Sequence, residues 1–517
     1  MAIRLDRQEK NFRNELVFAA DAKAVKLDFT LTNLFMLMRN DGRRVKVKVT
    51  KEHTFETMHT YLENLEKMGV VSGFKDNLDA ADCWLRSNLL SLVNKGDIQK
   101  EKIASLRPVH LESYIIRNIA QARDYNTADQ VYLMLRKQPS ILNSLKDYLD
   151  KGWDNTTKKI TQNIELDVDS VGILQLIRNI EVDLKTSSLL KNVRPVLEKQ
   201  ADLFCDDILR LLVYKDKIPR NVFIEYLRTL VGFHLSLYTQ KLIHLLPKMI
   251  EAGTRDVEDD WSIIVDVTDD LDSKVSKYAC EDMEMTLNAL YNYIKSVFEI
   301  NAVYWRSEFS SQSNLDNIDG ILAVLKNRPD DFEMYYKAKL DTILHNMDEE
   351  DDRKSVLNHL QYETSNFDRY VQTLVKAKGA YQYKYYHQFI DNISQKNTDY
   401  GFLADGRSRK HPRRAVLGSR LLETLVQLLV LEPQPTGGFN SKSLSIDELV
   451  SLLRNRYGII INGIPEKRFA EADVQTLIAF RENVDAFKNK LRQIGFYTDL
   501  SDAYILQKIR PRYNLDE

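Results

Sequence analysis

The chain has 517 residues, room for about three or four domains and a sizeable core without disulfides. Its 18 glycines and 11 prolines are few and its charged fraction of 29% is high, which favours long solvated helices and excludes collagen-like, mucin-like and globally disordered chains. With 73 basic and 75 acidic residues the net charge is −2, so total charge names no partner and only local patches can. Cys83, Cys205 and Cys280 form no CxxC pair, which suits a reducing compartment. The most apolar helical stretch, residues 421–431, is far below the ~20 residues a bilayer requires, and the opening Met1-Ala-Ile-Arg-Leu-Asp lacks an apolar signal core. The expectation is a cytoplasmic protein with no membrane contact.

Residues 1–95 mix two periods. Leu31-Thr-Asn-Leu-Phe-Met-Leu-Met reads as helix, and Arg44-Val-Lys-Val-Lys-Val-Thr alternates as a half-solvated strand does. A helix over 54–68 follows, with Phe55, Met58, Leu62 and Leu65 on one stripe, then Gly69 and a strand at Val70-Val71. This predicts a small α/β, winged-helix-like module. Residues 96–250 read as a helical body, broken near Pro108, Pro139, Gly152 and Pro219. The 251–290 stretch is acidic, with twelve Asp and Glu against Arg255, Lys274 and Lys277, and a second helical region runs to about residue 400.

After residue 400 come a basic cluster, an apolar helix and Pro433-Gln-Pro-Thr-Gly-Gly, which reads as a linker. Ser445 three residues before Glu448 makes a capping box, Gly458 a stop, and Ile459-Ile-Ile a short buried strand turned at Asn462-Gly463. A helix bearing Val484, Phe487, Leu491 and Ile494 leads to a predicted hairpin at Phe496-Tyr-Thr and Tyr504-Ile-Leu. The fold class is therefore mainly α and multidomain, with the N-terminal α/β module and a winged-helix-like domain within 401–517.

Chemical motifs are sparse. GxxxxGK[ST], GxGxxG after a strand, HExxH and GxSxG are all missing, which removes the usual ATPase, Rossmann, zincin and α/β-hydrolase readings. No cofactor is expected. Asp266, Asp269, Asp270 and Asp272 could deliver carboxylates to a divalent ion, and Asp272-Ser-Lys274 has the form of half a metal-nuclease site; a solvated acidic face is the simpler reading. On a 220–246 helix, Glu225, Thr229, Ser236 and Gln240 share one side, placing His234 opposite them as a core histidine with no carboxylate set by spacing. Cys205, in Leu203-Phe-Cys-Asp-Asp-Ile-Leu, reads as a small buried hydrophobe.

The strongest local signal is Arg407-Ser-Arg409-Lys410-His-Pro-Arg413-Arg414, five cations in eight positions, followed by Arg420. Clustered guanidiniums suit phosphate oxygens because they form forked, charge-assisted bonds and release counterions. Lys488 and Arg492 lie on the polar side of the last helix, and Lys508, Arg510 and Arg512 edge the predicted wing. These eleven residues are the candidate DNA or RNA backbone contacts. Two readings compete: residues 441–517 carry a net charge of only +1, and the basic arm could instead meet an acidic partner, including the chain's own 251–290 stretch.

Ile218-Pro-Arg-Asn-Val-Phe-Ile-Glu-Tyr-Leu-Arg-Thr-Leu-Val-Gly-Phe-His-Leu-Ser-Leu-Tyr, together with Leu491-Arg-Gln-Ile-Gly-Phe-Tyr-Thr-Asp-Leu-Ser-Asp-Ala-Tyr, resembles helical accessory subunits of multi-gene bacterial anti-phage systems of the methylation-associated or phosphorothioation-linked type. The resemblance implies a non-catalytic subunit working beside separate ATPase, nuclease or methyltransferase proteins, and it transfers no catalytic residue. The functional expectation is a nucleic-acid-binding scaffold partnered by other protein subunits. The alternatives are a protein-only scaffold or adaptor and a divalent-metal-dependent nuclease.

Overall fold

The computed structural model describes residues 3–49, 54–97, 99–161, 166–180, 182–306, 318–347, 350–405, 412–435, 437–497, 508–513 and 515. It is 56% helical, and its strands form only two-stranded ladders among the described residues, so the fold is mainly α.

The hub is the Arg220–Ala252 helix. Apolar residues occur all round it, which is the mark of a helix enclosed by others. Against it pack the Leu27–Arg39, Glu198–Val213, Lys274–Tyr304, Asn366–Ile393 and Ser419–Leu429 helices. Gly232 marks the closest approach: a Cβ there would sit 2.6 Å from Leu27 Cδ1 and 2.8 Å from the Ile393 carbonyl. The helix ends at Gly253, whose φ of 74° returns its N–H to the Met249 carbonyl. Past exposed Glu225, the polar stripe of this helix is not solvated. Thr229, Ser236 and Gln240 are buried, and Ser236 meets the Ser394 hydroxyl at 2.7 Å while Gln240 donates to Ser236 at 2.9 Å.

The N-terminal expectations hold for Leu27–Arg39, Arg43–Val49 and Phe55–Lys67, and the last is capped by Thr54. Val70-Val71, however, is a bend and not a strand. Arg43–Val49 finds its partner far away, in antiparallel register with Val182–Leu189. Residues 96–250 therefore contain strands that helical periodicity conceals, including Lys102–Leu106 paired with Leu90–Val93.

The C-terminal segment is woven into the middle of the chain. Ile459–Ile460 pairs parallel with Ile263–Ile264 from the acidic stretch. Asn483, on the Val474–Gln493 helix, donates to the Val265 and Ile461 carbonyls and accepts from the Val267 N–H. The expected linker is instead the turn of a hairpin joining Leu431–Pro433 to Phe439–Ser441, with Gly437 and Gly438 at positive φ. The Ser445–Glu448 capping box forms in both directions, at 3.1 and 2.7 Å, and Gly458 ends that helix at a φ of 76°. Residues 498–507, most of the expected wing, lie outside the described residues, while Ile509 bridges to Leu444. One apolar core runs from Leu5 to Ile509 across the boundaries expected at 250 and 400.

Candidate nucleic-acid interface and its charge network

Arg407, Arg409 and Lys410 lie outside the described residues. The chain resumes at Pro412 and enters the short strand Arg414–Ala415, which pairs with Leu403–Ala404. Asp266 follows the strand Ile263–Ile264, and its N–H donates to the Ala415 carbonyl at 3.0 Å, so the backbone brings Asp266 and Arg414 side by side. Arg414 Nε donates to Asp266 Oδ2 at 2.8 Å, and the two side chains are 7% and 0% exposed. Thr268 fills the other oxygen, donating from its N–H at 2.9 Å and its hydroxyl at 2.7 Å. A buried pair is tolerated only when its remaining lone pairs are satisfied in this way. Arg414 is thus a structural cation neutralised by the chain's own acidic stretch, and it drops out of the phosphate-gripping set.

Arg413 is held similarly. Its Nε and Nη2 each lie 2.9 Å from Asp391 oxygens, and Nη1 lies 3.3 Å from His387 Nδ1. Burial and then the Arg413 charge hold His387 below the usual histidine range, so it is neutral and accepts through Nδ1. Arg512 ion-pairs with Glu423, donates to the Ile494 carbonyl at 2.8 Å and covers the Phe496 ring. Glu423 also accepts from Tyr226 at 2.9 Å and from Arg420 at 3.0 Å. Burial alone would raise its pKa, but the Tyr226 hydrogen bond and the Arg512 charge hold it down.

The remaining candidates face solvent. Arg420 is 55% exposed despite its bond to Glu423. Lys488 contacts Asp485 at 3.0 Å, and Arg492 donates to Asn489 at 2.8 Å beside the Tyr497 ring. Lys508 and Arg510 are exposed, and the Arg510 N–H donates to the Phe496 carbonyl. Arg492, Arg510 and Arg512 therefore gather round residues 494–497.

The metal-nuclease residues are committed elsewhere. Asp266 serves Arg414, and Lys274 donates to Asp473 at 2.6 Å, away from Asp272. Among the described residues no three His, Cys, Asp or Glu side chains converge to hold a metal.

His234 is fully buried as its spacing suggests, yet it has a carboxylate partner that spacing did not reveal. Its Nε2 lies 2.9 Å from Asp207 Oδ2 on the Glu198–Val213 helix, and its Nδ1 lies 3.1 Å from Gln200 Nε2. Asp207 also accepts from Tyr457 at 2.8 Å and from Arg456. With so many donors, Asp207 is ionised despite its burial, and burial keeps His234 neutral. The only sequence signal was the Asp206-Asp207 pair inside an otherwise apolar helical run. Cys205, beside it, donates to the Met134 carbonyl, and burial pushes its thiol to about 12. A cavity of about 420 Å³ adjoins Gln200, and four of its lining charges are matched within it, Lys241 with Asp259 at 2.8 Å and Arg255 with Asp319 at 2.7 Å.

The family model described as methylation-associated defense system protein MAD7 matches residues 7–513. No curated protein and no solved structure matches the chain. Among the described residues no helix is long and apolar enough to cross a membrane.

Proposed function

The chain belongs to the family of the methylation-associated defense system protein MAD7, and on that premise we propose that it is a non-catalytic scaffolding subunit of a multi-component defence assembly. The observation that carries this reading is how charges from separate segments are matched, each pair having at least one buried carboxylate. Arg414 meets Asp266, Arg456 meets Asp207, and Arg468 grips Asp282 with two bonds of 2.8 and 3.0 Å. These pairs brace residues 207–282 against 414–468, which suits a frame that keeps one shape while partners dock on it. The groups that sequence offered for chemistry, His234, Cys205, Asp266 and Lys274, all serve that bracing or are buried.

The finer expectations rest on this frame. In this reading the order of the Ile446–Tyr457 helix, Ile459–Ile460 and the Val474–Gln493 helix supports a winged-helix-like unit within 401–517, and the helix–strand–helix order from Leu27 to Lys67 supports an α/β module within 1–95, each with its strand paired to another part of the chain. A cytoplasmic setting accords with three free cysteines. Nucleic-acid backbone contact rests on Arg407, Arg409 and Lys410, which lie outside the described residues, and on Arg420, Lys488, Arg492, Lys508, Arg510 and Arg512, which are exposed or half-exposed. The capture of Arg413, Arg414 and Arg512 by the chain's own carboxylates favours a second reading, a protein-only scaffold.

Co-expression of the full chain with the other proteins of the system, followed by size-exclusion chromatography, tests the scaffold. Co-elution in fixed ratio with at least one of them is expected, and elution alone from every pairing would overturn the reading. A duplex-DNA titration over a salt series separates the two versions. Backbone contact predicts affinity falling with salt, with a logarithmic slope of about −0.9 per phosphate engaged, while negligible binding at all salt concentrations leaves the protein-only frame.

A further inference from the structure

From residue 369 to 390, the Asn366–Ile393 helix carries Arg369, Lys376, Lys378 and Lys384 and no acidic residue. Over the same span it carries five tyrosines, of which Tyr370 and Tyr386 are buried while Tyr381 and Tyr383 are 47% and 37% exposed. Helical spacing puts Lys378, Tyr381, Lys384 and Tyr385 on one face, at i−3, i, i+3 and i+4. The Tyr381 and Tyr385 ring centroids are 4.5 Å apart. The N-terminal segment adds a cation: the Lys23 ammonium lies 5.5 Å from the Tyr385 ring, 5.9 Å from Tyr381 and 5.6 Å from Tyr125. Among the described residues the neighbouring carboxylates have other partners, Asp391 with Arg413 and Lys396, Glu15 with Arg13, and Asp21, two positions before Lys23, with the Asn126 amide at 2.9 Å, and no ion pair joins any of them to Lys23, Lys378 or Lys384.

We propose that this face binds single-stranded nucleic acid, with bases stacked on Tyr381 and Tyr385 and phosphates held by Lys23, Lys378 and Lys384. The choice of occupant follows from complementarity. Lysines without carboxylates match a polyanion, and exposed rings interleaved with them match unpaired bases, whose faces a duplex hides. The proposal stands apart from the scaffold reading, which subunit co-elution tests separately.

Fluorescence anisotropy of the full-length protein on a labelled oligo(dT) and on a duplex of equal length tests it. The expected result is preference for the single strand, weakened about five- to a hundredfold by each of Tyr381→Ala and Tyr385→Ala and retained in Tyr381→Phe, whose ring still stacks. Lys384→Ala should reduce the logarithmic salt slope by about 0.7, while the tyrosine variants leave that slope unchanged. Thermal melts of the variants should match the parent, since these side chains are partly or largely exposed. Equal binding of duplex and single strand, indifference to both alanine substitutions, or no binding of the oligonucleotide would each overturn the proposal. Loss of subunit co-elution in Tyr381→Ala, without loss of oligonucleotide binding, would assign the face to a protein partner.

Discussion

Two basic regions of this chain have opposite fates. In the dense basic cluster, Arg414 meets Asp266 from 148 positions away and Arg413 meets Asp391 from 22 positions away, and both become internal braces. Along the Asn366–Ile393 helix, cations spaced more thinly are in no ion pair with a carboxylate among the described residues, and they are half-buried or, like Lys384, exposed. The lesson is that charge density along a chain does not say where charge is available. What decides is whether an opposite charge from another segment arrives and whether water is then excluded, since an exposed pair is worth little and a buried one cannot be broken cheaply.

Removing one partner of a buried pair should give the largest effect. Asp207→Ala leaves Arg456 with Asp206 alone and takes acceptors from His234 and Tyr457 in a fully buried site, so a loss of about 4 kcal/mol is expected in urea unfolding. Asp266→Ala should cost about 3 kcal/mol, because Arg414 keeps only its 3.5 Å contact with Asp269. A change below about 0.5 kcal/mol in either would place those carboxylates on the solvent side of the comparison.

His110 sharpens the contrast from a third position, buried without a carboxylate partner. Burial, and then the Arg220 charge, lower its pKa from 6.5 to about 3. Because the folded value lies below the unfolded one, the unfolded chain binds the extra proton between these limits. Stability is therefore full above pH 6.5 and falls as pH drops toward 3, by about 1.4 kcal/mol per pH unit for this group. Unfolding free energies of the parent and His110→Gln, measured over pH, should converge or cross in that window; a constant difference would mean that His110 titrates normally. The smallest stability change is expected on the open side. Lys384→Ala and Tyr381→Ala should alter unfolding by no more than about 0.5 kcal/mol, and a loss above 2 kcal/mol in either would make that face part of the frame.

Local grammar was legible wherever a few neighbouring residues settle the backbone. Thr54, Ser445 with Glu448, and Gly458 mark helix ends that the structure reproduces. The burial of His234 was equally readable from its helical face. What sequence could not supply was pairing across distance. Arg43–Val49 looked like part of a local module, and Ile459–Ile460 like the strand of a self-contained domain, because a strand's period says nothing about who its neighbour is. The same gap explains the candidate site: five cations in eight positions were visible and the 251–290 stretch could be named as one possible counter-charge, but neither Asp266 opposite Arg414 nor Asp391 opposite Arg413 could be picked out. The tyrosine–lysine run beginning at Lys376 was open to view as composition. It was passed over because a helical region of mixed polarity resembles any solvated surface until its acids are counted.

The parallel contact between Ile263–Ile264 and Ile459–Ile460 has a consequence for how the molecule comes into being. The ribosome releases the middle of the chain long before the residues that complete it, so for some two hundred codons the edge at Ile263–Ile264 and the carboxylate of Asp266 wait without their partners. A nascent chain in that condition exposes a bare apolar strand, the kind of surface that chaperones recognise and that associates wrongly when unattended. A message cut short before residue 459 would therefore yield no smaller working version of this protein, only a polypeptide marked for disposal.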